Sequence, residues 1–234
     1  GAPLTLSGRD WHWQRLPANV APRGLCLHRA GNREQPEYPS LTVPLVGDHQ
    51  LENAVNAVMA LEVLRDQGLC ISRDEIVAGI ASVRWPGRFE VLQRDPTLVV
   101  DGAHNVDSMA KLVRTIEAEF PGQRPGVVFG AGRGHVPAEL LGVLAEHVSA
   151  LHLVRANHPK AADVDELAEA AHSLGITAYA GESVAQALSL ALHEASPNGL
   201  VLATGSLFVV AEARRAWMRL SGLPEPPSDP PDCY

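Results

Sequence analysis

The sequence predicts an α/β fold built on a mostly parallel sheet with helices on both faces. Three observations carry this. From Trp85 onward, short apolar runs alternate with amphipathic segments of helical length, the pattern of parallel βαβ units with right-handed crossovers. Runs such as Val127-Val128-Phe129 are apolar throughout, so they need cover on both faces. Small and polar residues then collect directly after two of those runs, at Asp101-Gly102-Ala103 and Thr204-Gly205-Ser206.

Residues 1–46 contain Trp11-His12-Trp13, Gly24-Leu25-Cys26-Leu27 and Leu41-Thr42-Val43, which read as short strands at the end of a sheet. A helix is expected over 49–67. Leu51, Ala54, Val55, Val58, Leu61 and Leu64 form its apolar stripe, with Asp48 as N-cap and Gly68 as stop. A second helix starts from Ser72 and carries Ile76, Val77 and Ile80. The alternation then runs from a short apolar run, Thr97 to Asp101, that ends in a carboxylate, through a helix bearing Met109, Leu112, Val113, Ile116 and Phe120, to strand 127–129. Helix 137–148, strand 151–154, helix 164–174, strand 176–180, helix 184–195, strand 200–203 and helix 207–220 follow. The tail from Leu223 to Tyr234 holds five prolines in twelve residues and is expected to be disordered. The expected organisation is therefore 1–86, 87–222 and a tail, 223–234.

Composition narrows the function classes. The 234 residues are 46% hydrophobic and 20% charged, ordinary for a globular protein. A net charge of −8 with 19 Lys and Arg lacks the basic footprint of a nucleic-acid binder. Cys26, Cys70 and Cys233 are far apart and show no metal or disulfide spacing. No apolar run approaches the ~20 residues of a membrane span, and no signal-peptide pattern opens the sequence. A cytoplasmic protein with no membrane partner is expected.

Four segments carry candidate chemistry. In Gly47-Asp48-His49-Gln50-Leu51-Glu52-Asn53-Ala54, helical spacing sets His49, Asn53 and Asn56 on one polar side, suited to a heterocycle, a phosphate or plain solvation. In Trp85-Pro86-Gly87-Arg88 a tight turn presents a guanidinium that suits phosphate oxygens or serves an ordinary hinge. Asp101-Gly102-Ala103-His104-Asn105 follows a buried strand and precedes a helix, where open parallel sheets bind ligands. The Asp suits ribose hydroxyls, magnesium-bound water or an ammonium, and the His suits a carboxylate. Thr204-Gly205-Ser206 has hydroxyls placed either to cap a helix or to bind an anion. Gly130-Ala131-Gly132-Arg133-Gly134 has GxGxG spacing, not the dinucleotide fingerprint GxGxxG. Asn157-His158-Pro159-Lys160 ends another strand. The remaining histidines show no metal spacing, and no serine lies in a GxSxG elbow.

Together the four segments resemble the folylpolyglutamate synthase/dihydrofolate synthase family, a branch of the Mur ligases. The family patterns G-x-H-Q-x-x-N-A, W-P-G-R-x-E, D-G-A-H-N and T-G-S-L-[YF] stand at Gly47–Ala54, Trp85–Glu90, Asp101–Asn105 and Thr204–Phe208, in the family's order. The resemblance implies a Rossmann-like glutamate ligase domain at 87–222, preceded by an incomplete segment of the central ATPase domain at 1–86. It implies a reaction in which ATP phosphorylates a folate or dihydropteroate carboxylate and the amine of L-glutamate attacks the acyl phosphate. By position, Asn53, Arg88 and Asp101 match residues that contact ATP. His104 and Ser206 match residues near the incoming glutamate. Arg88, Asp101 and His104 are the catalytic candidates so implied. ATP and magnesium are the expected cofactors, with no metal ligand in these residues, and the full-length enzyme is expected to be a monomer.

Val106 stands where the family usually has proline, and Gly130–His135 replaces a lysine- and aspartate-bearing segment. The family's phosphate-binding loop, of the form G-T-N-G-K-G-S, occurs nowhere in the 234 residues. The expectation is the carboxyl-terminal part of a ligase that alone neither hydrolyses ATP nor ligates. The alternatives are another Mur-type amino-acid ligase, acting on a peptidoglycan precursor or a cyanophycin-like polypeptide, and a stand-alone Rossmann-like nucleotide or amino-acid binding module. An NAD-dependent dehydrogenase lacks its fingerprint here.

Overall fold

A computed structural model describes residues 4–21 and 23–225. The chain divides into two compact units, Gly1–Pro86 and Gly87–Tyr234. Most of the expected proline-rich tail, 226–234, lies outside the described residues. Leu223, Pro224 and Glu225 have no regular structure, and Glu225 pairs with Arg215 at 3.0 Å and Arg219 at 2.6 Å.

In the first unit, β1 (Trp11–Arg15), β2 (Gly24–Arg29) and β3 (Tyr38–Thr42) form an antiparallel sheet in that order. Helices α1 (Asp48–Asp66) and α2 (Arg73–Ser82) follow. Trp11, Leu25, Leu27, Leu41, Leu51, Val55, Val58 and Ile76 close a common core. Ser72 caps α2 through a capping box with Glu75, as its sequence predicts. Gly68, at φ 102°, ends α1 as expected.

Two details of α1 correct the sequence reading. Its N-cap is Gly47, at φ 108°; Asp48 is the first helical residue and pairs with Arg15 at 2.5 Å. An acid in the first turn still complements the helix dipole. The buried face is Leu51, Val55, Val58, Met59 and Glu62, while Leu64 is 47% exposed. Leu64 lies six residues past Val58, about 120° round the helix.

Glu62 is 1% exposed. Tyr38 donates its hydroxyl at 2.6 Å, and Arg65, Arg29 and Arg73 approach at 2.9, 3.2 and 3.3 Å. Burial opposes ionisation of Glu62, but bonds from Tyr38, Arg73 and Arg29 outweigh it and hold the carboxyl below its ordinary range. Burial and the Glu62 charge push the Tyr38 hydroxyl well up.

The second unit is a six-stranded sheet in the order β4-β5-β9-β6-β7-β8. Its strands are β4 (Glu90–Gln93), β5 (Thr97–Val100), β6 (Gly126–Phe129), β7 (Ala150–Leu153), β8 (Tyr179–Ala180) and β9 (Leu200–Thr204). All neighbours pair in parallel except β4, which runs antiparallel to β5. Helices α3 (Val106–Glu119), α4 (Pro137–Leu144), α5 (Val164–Ser173), α6 (Val184–Glu194) and α7 (Leu207–Leu220) connect and cover it. Leu98, Val100, Val128, Val201 and Ala203 pack with residues of α6 and α7 in one cluster. Their neighbours along the strands, Val99, Val127 and Leu202, are equally buried and point the other way by the period of two. On that face α3, α4 and α5 pack side by side.

Three elements depart from expectation. Strand β4 has no counterpart in the sequence reading, because its four residues are all half-buried and give neither an apolar run nor a clean alternation. Helix α4 ends at Leu144 and yields to a 3-10 turn at Ala145–His147. Strand β8 is only Tyr179–Ala180, both exposed at the sheet edge. Among the described residues no helix is long and apolar enough to cross a membrane.

Candidate functional site

Strand β9 lies between β5 and β6. The chain leaves β5 and β6 for α3 and α4 on one face, and leaves β9 for α7 on the other. Divergence of this kind opens a crevice at the carboxyl ends of the strands, where α/β sheets bind ligands. The loops after β5 and β9 are tied across it. Thr204 donates its hydroxyl to Asp101 O at 2.7 Å, and Gly205 N donates to Ala103 O at 3.1 Å. The fit leaves no room for side chains. A Cβ on Gly205 would sit 2.7 Å from Gly130 O, and one on Gly102 would sit 2.4 Å from a Leu207 methyl.

Asp101 is 8% exposed and joins two segments. Its Oδ1 accepts from Ala103 N at 2.8 Å and its Oδ2 from Phe89 N at 2.8 Å. Gly102 N donates to Gly87 O at 2.9 Å. Gly87 N in turn donates to Glu90 Oε2 at 2.7 Å, and Glu90 pairs with Arg214 of α7 at 2.8 Å. Phe89 has φ 40°, rare for a residue with a side chain. It is 4% exposed and stacks on Phe120 with centroids 6.4 Å apart. Half-buried Arg88 is thus held between two pinned residues, Gly87 and Phe89. The sequence reading expects Asp101 to contact a ligand; in the structure its carboxylate fastens the backbone next to Arg88.

His104 donates from Nδ1 to Gly102 O at 2.9 Å. Its backbone N donates to Ser108 Oγ at 3.1 Å. Asn105 caps α3 by accepting from Ser108 N at 2.8 Å, so Val106 simply starts the helix. The His135 ring stands edge-on to His104, centroids 5.7 Å apart at 64°. Ser206 is 5% exposed and caps α7 by accepting from Val209 N at 3.2 Å. The hydroxyl keeps its own hydrogen to donate, so capping and anion binding are compatible.

The loop after β7 is fastened to α7. Asn157 N donates to Glu212 Oε1 at 2.6 Å, and the His158 ring stacks on Phe208 at 3.5 Å and 14°. Burial pushes the Glu212 carboxyl up, against the opposing pull of Asn157 N–H and Arg215. The same loop holds the glycine-rich loop after β6, since Arg133 N donates to Lys160 O at 2.6 Å. Sequence reasoning places Asn157–Lys160 at this edge and includes Phe89 and Glu90 within the Trp85–Glu90 pattern, but it misses Glu212 and Arg214 and the remote partners of Phe89 and Glu90.

Arg88, Asp101, His104 and Ser206 belong to the second unit; Asn53 belongs to the first. Exposed Asn53 donates from Nδ2 to Gln50 Oε1 at 3.1 Å, and Gln50 donates to His49 Nε2 at 3.1 Å. Among the described residues no group of three or more His, Cys, Asp or Glu is gathered to hold a metal.

The second unit is by its topology an open α/β ligand-binding domain, with its crevice at the carboxyl edge around β9. Residues 87–207 match the family model described as Mur ligase, glutamate ligase domain, and the chain belongs to that family. It is 39% identical over 180 residues to a probable bifunctional folylpolyglutamate synthase/dihydropteroate synthase of Halobacterium salinarum, covering 76% of this chain and 21% of that protein. A solved structure of E. coli FolC in complex with ADP, without folate substrate, superposes with TM-score 0.75 and 26% identity over 95% of this chain and 49% of that one. A bifunctional folylpolyglutamate synthase/dihydrofolate synthase with Mn, AMPPNP and L-glutamate bound gives TM-score 0.73 and 26% identity over 95% and 48%. The chain thus spans half or less of these proteins.

Proposed function

We propose that this chain is the carboxyl-terminal part of an ATP-dependent ligase that adds L-glutamate to a folate or dihydropteroate carboxylate. The observation that carries the reading is the double role of Asp101, whose two 2.8 Å bonds tie the Arg88 segment to the His104 loop. In the reaction a carboxylate oxygen attacks the γ-phosphorus of ATP and ADP leaves. The glutamate nitrogen then attacks the acyl carbon, the amide forms and phosphate leaves with the bonding pair. Arg88 stabilises the charge that gathers on the transferring phosphoryl group. The Nδ1–H bond to Gly102 leaves the Nε2 lone pair of His104 to take a proton from the incoming ammonium, which frees the amine lone pair that attacks. The free hydroxyl hydrogen of Ser206 serves a glutamate carboxylate. Asn53, Arg88 and Asp101 are the nucleotide-contact candidates of this reading. The metal that accompanies ATP is assigned no ligand among the described residues.

The Halobacterium relative's name couples folylpolyglutamate synthase with dihydropteroate synthase, which supports a pterin-bearing acceptor. The same reading makes 1–86 the end of the central ATPase domain and 87–222 the glutamate ligase domain. It expects a cytoplasmic, monomeric full-length enzyme. The 234 residues alone, without the lysine-bearing phosphate loop, should form no product. The test is ATP- and glutamate-dependent ligation by the full-length protein, offered dihydropteroate and tetrahydrofolate separately. Glutamylated product with either supports the reading, and no product with both overturns it.

A further inference from the structure

We infer that His135, on the loop after β6, is a positioning residue that sets the ring of His104; its kinetic consequence rests on the ligase reading above. A carbonyl oxygen only accepts, so the 2.9 Å contact to Gly102 places the His104 proton on Nδ1 and makes Nε2 the lone-pair nitrogen. One hydrogen bond fixes one corner of an imidazole and leaves the ring free to tilt about it. The His135 ring removes that freedom. Its centroid lies 5.7 Å from that of His104 at 64°, an edge-to-face contact.

The loop is built to deliver that ring. Gly134, at φ 91°, reverses the chain just before His135. The ring then lies back over Gly132, where an added Cβ would meet His135 Cδ2 at 3.7 Å. The base of the loop is fixed from the neighbouring connection, with Arg133 N on Lys160 O at 2.6 Å and Ala162 N on Ala131 O at 3.0 Å. On its other side His135 lines a cleft of about 380 Å³ with Asn105, Asp107 and Glu139. A loop after one strand thus supports the ring carried by the loop after another. The support is the flat ring and not its charge, so phenylalanine replaces it and alanine does not.

The experiment labels the histidines of the 234-residue chain with ¹⁵N. It compares long-range ¹H–¹⁵N spectra of wild type, His135→Ala and His135→Phe, with His104→Gln assigning the signal. Wild type and His135→Phe should show His104 in the single Nδ1–H form, and His135→Ala should show an averaged signal. In the full-length enzyme His135→Ala should lower kcat about tenfold, within the range a slightly misplaced catalytic group costs, with KM for ATP unchanged and His135→Phe restoring the rate. An unchanged His104 signal in His135→Ala overturns the inference, as does unchanged kcat in an enzyme that ligates. Loss of ligation in wild type instead removes the ligase reading and leaves the spectra to decide the contact. If His135→Ala fails to fold, an averaged signal in His135→Phe is the overturning result.

Discussion

Replacing Asp101 by alanine should destabilise the second unit as well as abolish any ligand contact. The carboxylate accepts two backbone N–H bonds of 2.8 Å each and is 8% exposed. Hydrogen bonds to a charged group contribute about 1.5–3 kcal/mol apiece, so the two together set an upper range of about 3–6 kcal/mol. Two effects reduce it. Water can reach the vacated space, and Phe89, at φ 40°, relaxes once released, returning about 1–2 kcal/mol of backbone strain. A net loss of about 2–4 kcal/mol remains. Trp217, which donates to Gln93 at 2.9 Å in this unit, reports its unfolding by fluorescence in urea, and hydrogen exchange of the Phe89 amide reports the local bond. Asp101→Asn should fall between wild type and alanine, because an amide keeps one acceptor and turns a donor towards an N–H. An unfolding free energy from the urea curve of Asp101→Ala within about 0.5 kcal/mol of wild type, the range of an ordinary surface change, would refute the reasoning and leave Asp101 as a candidate ligand contact alone.

Glu62→Ala should cost the first unit about 3 kcal/mol, the low end for breaking a buried ion pair, since its arginine partners remain partly in water. Far-UV circular dichroism in urea checks it. The folded Glu62 carboxyl lies below its ordinary 4.5, so its stabilisation is present above that value and lost as pH falls through the folded one. Acid unfolding should therefore be shallower in Glu62→Gln, and parallel acid curves would count against the cluster. Gly130→Ala should cost about 1–3 kcal/mol, because its Cβ would meet the backbone oxygen of Val154 at 2.4 Å; an unshifted thermal midpoint would contradict this. Arg88→Ala in the full-length enzyme should lower kcat about a hundredfold with the melt unchanged, and intact turnover would remove its phosphoryl role.

The α/β alternation is legible because each central strand is a continuous apolar run and each helix carries its own stripe and stop. Edge strand β4 is not, since its four half-buried residues leave no pattern, and of the expected strand 176–180 only Tyr179–Ala180 pairs as β8. The site divides the same way. Asp101, His104 and Ser206 stand in local motifs whose position after a strand follows from the sequence, and Arg88 stands in a Pro-Gly turn equally visible there. That Asp101 bonds Phe89 twelve residues back, or that His135 lies against His104, follows from which strands become neighbours. Glu62 is illegible for another reason: a carboxylate on a helix reads as solvent-facing until Tyr38, Arg29 and Arg73 from other elements join its helix neighbour Arg65 around it.

The place of β9 has a consequence for synthesis. The strand of this sheet that is made last, β9, fills the slot between β5 and β6, pairing with both. Until residues 200–204 leave the ribosome, β5 and β6 stand roughly 9–10 Å apart, two strand spacings, with unpaired backbone facing an empty gap. A nascent chain stalled short of β9 therefore exposes two apolar strand edges of the kind that recruit other chains. Folding of this sheet therefore waits for residues 200–204, and a nonsense codon before Leu200 should yield an aggregating polypeptide, not a shortened domain.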